Sequence, residues 1–151
     1  MPMGLSALGG VSLAIGICLA QTLNRYTTDK ITLKWPNDLL VGNKKLAGIL
    51  LEASGDSNDQ SFLNIGVGIN WQMGAKQASN VDQPWINLKP LLKSQVSRSF
   101  LLAELILELE ACLANYQKNG FKFYSELWPK LSACYGKPVI VHRGNELING
   151  V

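Results

Sequence analysis

The stretch KWPNDLLVGNKKLAGILLEASGD, Lys34 to Asp56, decides how the rest of the chain is read. Ahead of it and into it, Ile31, Leu33 and Trp35 alternate with Thr32 and Lys34, the period of two that marks a half-buried strand. Pro36 has no N–H to give to a ladder, so that strand should end or bulge there. Leu39 to Val41 and Lys44 to Ala53 then read as two strands around a tight Gly42-Asn43 turn, because glycine and asparagine accept the positive φ of hairpin loops. A polar run from Gly55 to Gln60 makes a loop, and Ser61 to Trp71 (SFLNIGVGINW) makes a further strand. The expectation is an antiparallel meander.

Working outward, Met3 to Leu23 carry no charge over a length that would also cross a bilayer. Four glycines, two serines and the polar exit Gln21, Asn24, Arg25 argue instead for a helix buried against the sheet, with Leu13, Ile17 and Ala20 as one stripe and Ser6 or Ser12 as its cap. Gln72 to Ser94 are irregular and read as a long loop with one short helix. Arg98 to Asn119 form the clearest helix, with Phe100, Leu101, Leu105, Leu109, Cys112 and Leu113 on its apolar side and Gly120 as the stop. Glu104, Glu108 and Glu110 then form a solvated face. A shorter helix follows around Lys122 to Ser132. After Gly136-Lys137-Pro138, the run Val139 to Val141 opens a new β element with a turn at Arg143 to Glu146. These elements make the fold α+β.

Composition narrows the function. The chain has 151 residues, 47% of them hydrophobic, enough for one cored domain. A net charge of +3 without a dense Lys/Arg cluster gives no nucleic-acid face. Cys18, Cys112 and Cys134 are far apart and odd in number, so neither a disulfide framework nor a zinc site is suggested, and a reducing cytoplasm is the default. His142 is the single histidine.

Within the meander, strict alternation puts Lys45 on one face with Ala47, Ile49 and Leu51, where its ammonium either snorkels to water or holds an anion. Gly48 falls on the opposite face and leaves room for a backbone or a flat ligand, as do Gly66 and Gly68, with Asn70 adding an amide beside them. Asn37-Asp38 is either a plain Asx turn or places Asp38 to orient a lysine or a magnesium ion near a phosphate. Gly66-Val67-Gly68 lacks the third glycine and helix of a dinucleotide fingerprint.

Taken together, KWPNDLL, KKLAGILLE and NIGVGINW, in that order, resemble the biotin–protein ligases (biotin–[acetyl-CoA-carboxylase] ligases). The resemblance implies a class II synthetase-like catalytic fold, a mixed or antiparallel sheet packed on helices, over residues 1–135. Residues 136–151 would begin a small SH3-like C-terminal barrel. It implies an ATP-dependent reaction in two steps: biotin and ATP, with Mg²⁺, give biotinyl-5′-AMP, and a lysine of a biotin carboxyl-carrier protein then takes the biotinyl group. Carried over residue by residue, Lys45 looks like the catalytic lysine that meets biotin's carboxylate and the α-phosphate, and Gly48 and Gly66 look like the lining of the biotin slot. Lys34, Asn37, Asp38 and Asn70 look like nucleotide contacts, Asp38 also like a contact of Mg²⁺, and Trp85 like the ring that stacks on adenine. Trp35 and Pro36 are expected to be structural.

Family members also carry a Gly/Arg-rich loop ahead of the first helix, and the motif is not found before Met1. The expectation is that the isolated chain has weak activity or none. Two alternatives stay open: a non-catalytic fragment that pairs with another chain or with a second copy of itself as a homodimer, and a lipoate-ligase-like protein. Partners expected through this chain are biotin, ATP and the carrier protein, with neither nucleic acid nor membrane.

Overall fold

A computed structural model describes residues 4–55, 61–74, 81–144 and 146–151. Of the loop expected from Gly55 to Gln60, Gly55 instead ends a strand and the rest lies outside the described residues, as does Asn145 in the last turn. The first helix, α1 (Val11–Tyr26), opens from a 3-10 turn at Leu5–Leu8. Its N-cap is Gly10 in the left-handed region at φ 86°, and no serine caps it, contrary to expectation. A side chain at Gly10 would meet the Phe121 ring at 2.8 Å, so both the backbone angle and the close packing require glycine there.

Four strands follow: β1 (Ile31–Lys34), β2 (Asp38–Val41), β3 (Lys44–Gly55) and β4 (Ser61–Ile69), in the order β1-β2-β3-β4, every pair antiparallel. The meander read from the sequence is present. β1 stops at Lys34, and the turn to β2 contains a cis Trp35–Pro36 peptide. Gly42 turns β2 into β3 at φ 59°. Beyond β4 the chain runs through a 3-10 turn at Lys89–Leu91, which replaces the expected short helix, into α2 (Arg98–Asn119). Ser97 caps α2 by accepting the Phe100 N–H at 3.1 Å, and Gly120 ends it. Two one-turn helices, α3 (Lys122–Ser125) and α4 (Trp128–Leu131), replace the single helix expected there. A hairpin of β5 (Val139–Arg143) and β6 (Glu146–Gly150) ends the chain.

The core is layered, with α1 in the middle. Nine of its residues are buried, and it packs on β1 on one side and on α2 on the other. On composition Leu5–Tyr26 is long and apolar enough to cross a membrane, yet Ile15, Ile17, Leu19 and Leu23 are fully enclosed by protein. From the sheet, Ile31, Leu33, Leu39, Ala47 and Ile49 complete this core. The solvated face expected on α2 needs correction. Glu104 accepts from the Tyr26 hydroxyl at 2.8 Å and Glu108 from Arg25 at 2.8 Å, so two of the three glutamates tie α2 to the end of α1. Phe100, expected on the buried side, is half exposed. Between the two helices, Cys18 shares a hydrogen bond with Cys112. That bond and burial push the Cys18 thiol far above its ordinary range.

Candidate functional site

The site is built on one irregularity in β3. β2 and β3 are in register at Asp38↔Gly48 and Leu39↔Ala47, then again at Leu40↔Lys45, so Leu46 is an extra residue bulged out of the ladder. The bulge overturns the strict alternation expected from sequence. Leu46, Ala47 and Ile49 all turn into the core, while Lys45 moves to the other face and joins Gly48. The lysine and the glycine, expected on opposite faces, are neighbours.

On that outer face Lys45 Nζ lies 2.6 Å from Asp38 Oδ1, a partly buried ion pair with side-chain exposures of 29% and 15%. The oxygen itself is buried and accepts no well-aligned hydrogen bond, so the ammonium is its close partner. Gly48 admits this pair: a Cβ there would sit 3.3 Å from Lys45 Cε and 3.6 Å from Asp38 Oδ1. Across the ladder Gly48 faces Gly68, and Leu50 faces Gly66. A Cβ on Gly68 would meet nothing within 4 Å, and one on Gly66 only the Leu50 main chain and Cβ at 3.7 Å. Packing within this chain therefore does not explain these two glycines. What they create is a bare strip of backbone beside a cation.

Two open concavities meet on that strip. One, of about 500 Å³, is lined by Asn37, Gly48, Leu50, Gly66 and Gly68. The other, of about 210 Å³, is lined by Lys45, Gly48, Gly68, Asn70, Met73 and Trp85, with Val81 and Gln83. The second is closed by the strap 81–88, part of the stretch Gln72 to Ser94 whose sequence is irregular. Lys45 donates its N–H to the Pro84 carbonyl at 2.8 Å, and its carbonyl accepts from Ile86 N at 3.0 Å and from Asn70 Nδ2 at 3.1 Å. Asn70 N in turn donates to Leu46, and the Asn70 carbonyl accepts from Leu88 N. Trp85 is thus bridged to Lys45 through backbone and half-buried against it.

The named residues divide cleanly by place. Lys45, Gly48, Asn70 and Trp85 come together in one concavity, and Gly66 joins Gly48 and Asn37 in the other. Asn37 is committed to the sheet: its Nδ2 donates to the Ile49 carbonyl at 2.8 Å and its carbonyl accepts from Ile49 N at 2.9 Å. Lys34 is cross-strand from Asp38, but it is exposed and borders a different concavity, shared with Trp35, Pro36, Trp128 and His142. Trp35, expected to be structural, is 56% exposed. Asn87 was missed in the sequence. Its amide binds both the N–H and the carbonyl of Met73, at 2.8 and 3.1 Å, and so pins the strap that carries Trp85. An asparagine amide two residues beyond a tryptophan was the signal available, and it does not announce a clamp.

A cation over bare backbone, between a slot and an aromatic-walled recess, suits a ligand that has an anionic centre and two flat ends. The chain as a whole is similar to proteins of known sequence and structure. The biotin/lipoate A/B protein ligase family matches residues 3–70. The bifunctional ligase/repressor BirA of Escherichia coli is 38% identical over 151 residues, all of this chain and 47% of that protein. The biotin–[acetyl-CoA-carboxylase] ligase of Paracoccus denitrificans is 29% identical over 126 residues, 81% of this chain and 52% of that protein. In structure, the Aquifex aeolicus biotin protein ligase solved with biotin and ATP superposes with a TM-score of 0.75 at 23% identity, over 97% of this chain and 59% of that one. The chain belongs to the biotin/lipoate A/B protein ligase family, and it spans about half the length of the curated relatives it matches.

Proposed function

We propose that this chain carries the downstream part of the catalytic site of a biotin–protein ligase, which forms biotinyl-5′-AMP from biotin and ATP and passes the biotinyl group to a carrier-protein lysine. The observation that carries the reading is Lys45 Nζ standing beside the bare Gly48–Gly68 pair where the two concavities meet. The larger concavity takes the biotin ring system over Gly66 and Gly68, where side chains would collide with it. The smaller takes the nucleotide, with Trp85 against adenine and Asn70 beside it. Lys45 bridges them. Joining a carboxylate to an α-phosphate brings two anions together and builds charge at phosphorus, and a fixed ammonium stabilises that charge most where water is displaced.

Magnesium, when bound with the nucleotide, neutralises phosphate charge. The described residues hold no cluster of three His, Cys, Asp or Glu side chains, and the site's carboxylate, Asp38, already faces an ammonium. These residues do not fit a protein cage for the ion, and no step is assigned to it here.

The hairpin β5–β6 is read as the first turn of an SH3-like barrel, and three free thiols suit a reducing cytoplasm. Calorimetry with biotin and with lipoate, on the chain and on Lys45→Ala, tests the reading. Biotin binding weakened at least about tenfold by the substitution supports it; a preference for lipoate, or equal binding by the variant, refutes it.

A further inference from the structure

Asp38 belongs to the motif that suggested a metal contact, yet its surroundings point elsewhere. It lines neither of the two open concavities. It borders a narrow gap of about 10 Å³ shared with Ser12, Gly16, Pro36 and Asn37, room for a single water at most. A magnesium ion keeps several waters and an octahedral shell, which that gap does not admit, and an ammonium 2.6 Å from the carboxylate repels a second cation.

We infer that Asp38 is a positioning residue and not a metal ligand: its carboxylate holds the Lys45 ammonium beside the Gly48–Gly68 pair before any ligand arrives. This rests on the reading that Lys45 meets the reacting anions. A lysine side chain has four rotatable bonds, and an unrestrained Lys45 would lose their rotamer freedom on binding. A counter-ion fixed in a neighbouring strand removes that loss in advance. The ammonium has three protons, so one can serve Asp38 while the other two remain for the incoming carboxylate and phosphate. Gly48 belongs to the same device, because a Cβ there would lie 3.3 Å from Lys45 Cε and crowd the end of the side chain that the carboxylate holds.

The test uses the full chain with Asp38→Asn, which keeps the shape and removes the charge, and Asp38→Glu, which restores the charge. First, the side-chain ammonium signal of Lys45 is followed by ¹H–¹⁵N NMR without ligand and assigned by its loss in Lys45→Arg. The signal should be shifted or lost in Asp38→Asn and at least partly restored in Asp38→Glu. An unmoved signal in Asp38→Asn overturns the inference. Second, biotin is titrated with no nucleotide and no Mg²⁺. Asp38→Asn should weaken binding about tenfold, and Asp38→Asn combined with Lys45→Ala should bind no worse than Lys45→Ala alone. A metal ligand would behave otherwise: metal-free binding would be unchanged, and nucleotide binding would demand more Mg²⁺ in Asp38→Asn. That outcome also overturns it. If Lys45→Ala binds biotin as the parent does, the role of Lys45 falls, while the NMR result still decides whether Asp38 holds it.

Discussion

The two faces of β3 use neighbouring residues for opposite ends. On the inner face Leu46, Ala47 and Ile49 are sealed against α1 and the rest of the core. On the outer face Lys45 and Gly48 leave a cation and bare backbone, and Leu50 beyond them is 64% exposed. One face spends its side chains on stability, and the other withholds them. Leu46 is what separates the two, since its bulge decides which residues go where.

Substitutions can break this contrast. The largest effect is expected at Lys45→Ala, which should cut whatever biotin-dependent pyrophosphate release the chain supports by roughly 10²–10³ and should also lower the melting temperature, because the Asp38 carboxylate loses its ammonium. Adding Asp38→Asn, which removes the unpaired charge, should recover the melting temperature without the activity; recovery of both would mean that Lys45 serves stability and not chemistry. Next is Ile49→Ala, expected to cost about 2–5 kcal/mol in urea unfolding, as truncation of a fully packed side chain does. If stability were unchanged, the inner face would not be the core. Gly68→Ala should leave stability almost unaltered, because nothing lies near its Cβ, yet weaken biotin binding by about 1–3 kcal/mol through overpacking of the slot. Calorimetry beside thermal melts separates the two quantities.

The smallest effect concerns the seam that holds α1 to α2. The Tyr26 hydroxyl donates to Glu104, and this bond raises the tyrosine above its ordinary range. Its contribution is present below the unfolded tyrosine value and is lost as pH rises through the raised one. Tyr26→Phe should therefore lower the melting temperature slightly at neutral pH, and the difference should close in strong alkali. A difference that persists there would assign the effect to packing.

Much of the meander was legible because its signals are local: alternation in β1, a missing donor at Pro36, and the Gly42-Asn43 turn. Arg98 to Asn119 was legible for the same reason, through its period and its caps. The motif residues were readable as a set, but their placement on the two faces was not. Alternation through KKLAGIL carries no mark that one residue is bulged, apart from two consecutive apolar residues, Leu46 and Ala47, that both end up buried. The roles of Asn37 and Asn87 were illegible for a different reason. Each is set by partners twelve and fourteen residues away, Ile49 and Met73, which no local pattern reports.

One feature of Lys45 concerns its main chain and not its ammonium. Its N–H and carbonyl are held by Pro84, Ile86 and Asn70, none of which depends on what the side chain is. Shape and charge are thus separable at this position. A substitution at Lys45 should therefore remove the ammonium and leave the backbone seam between β3 and the strap in place.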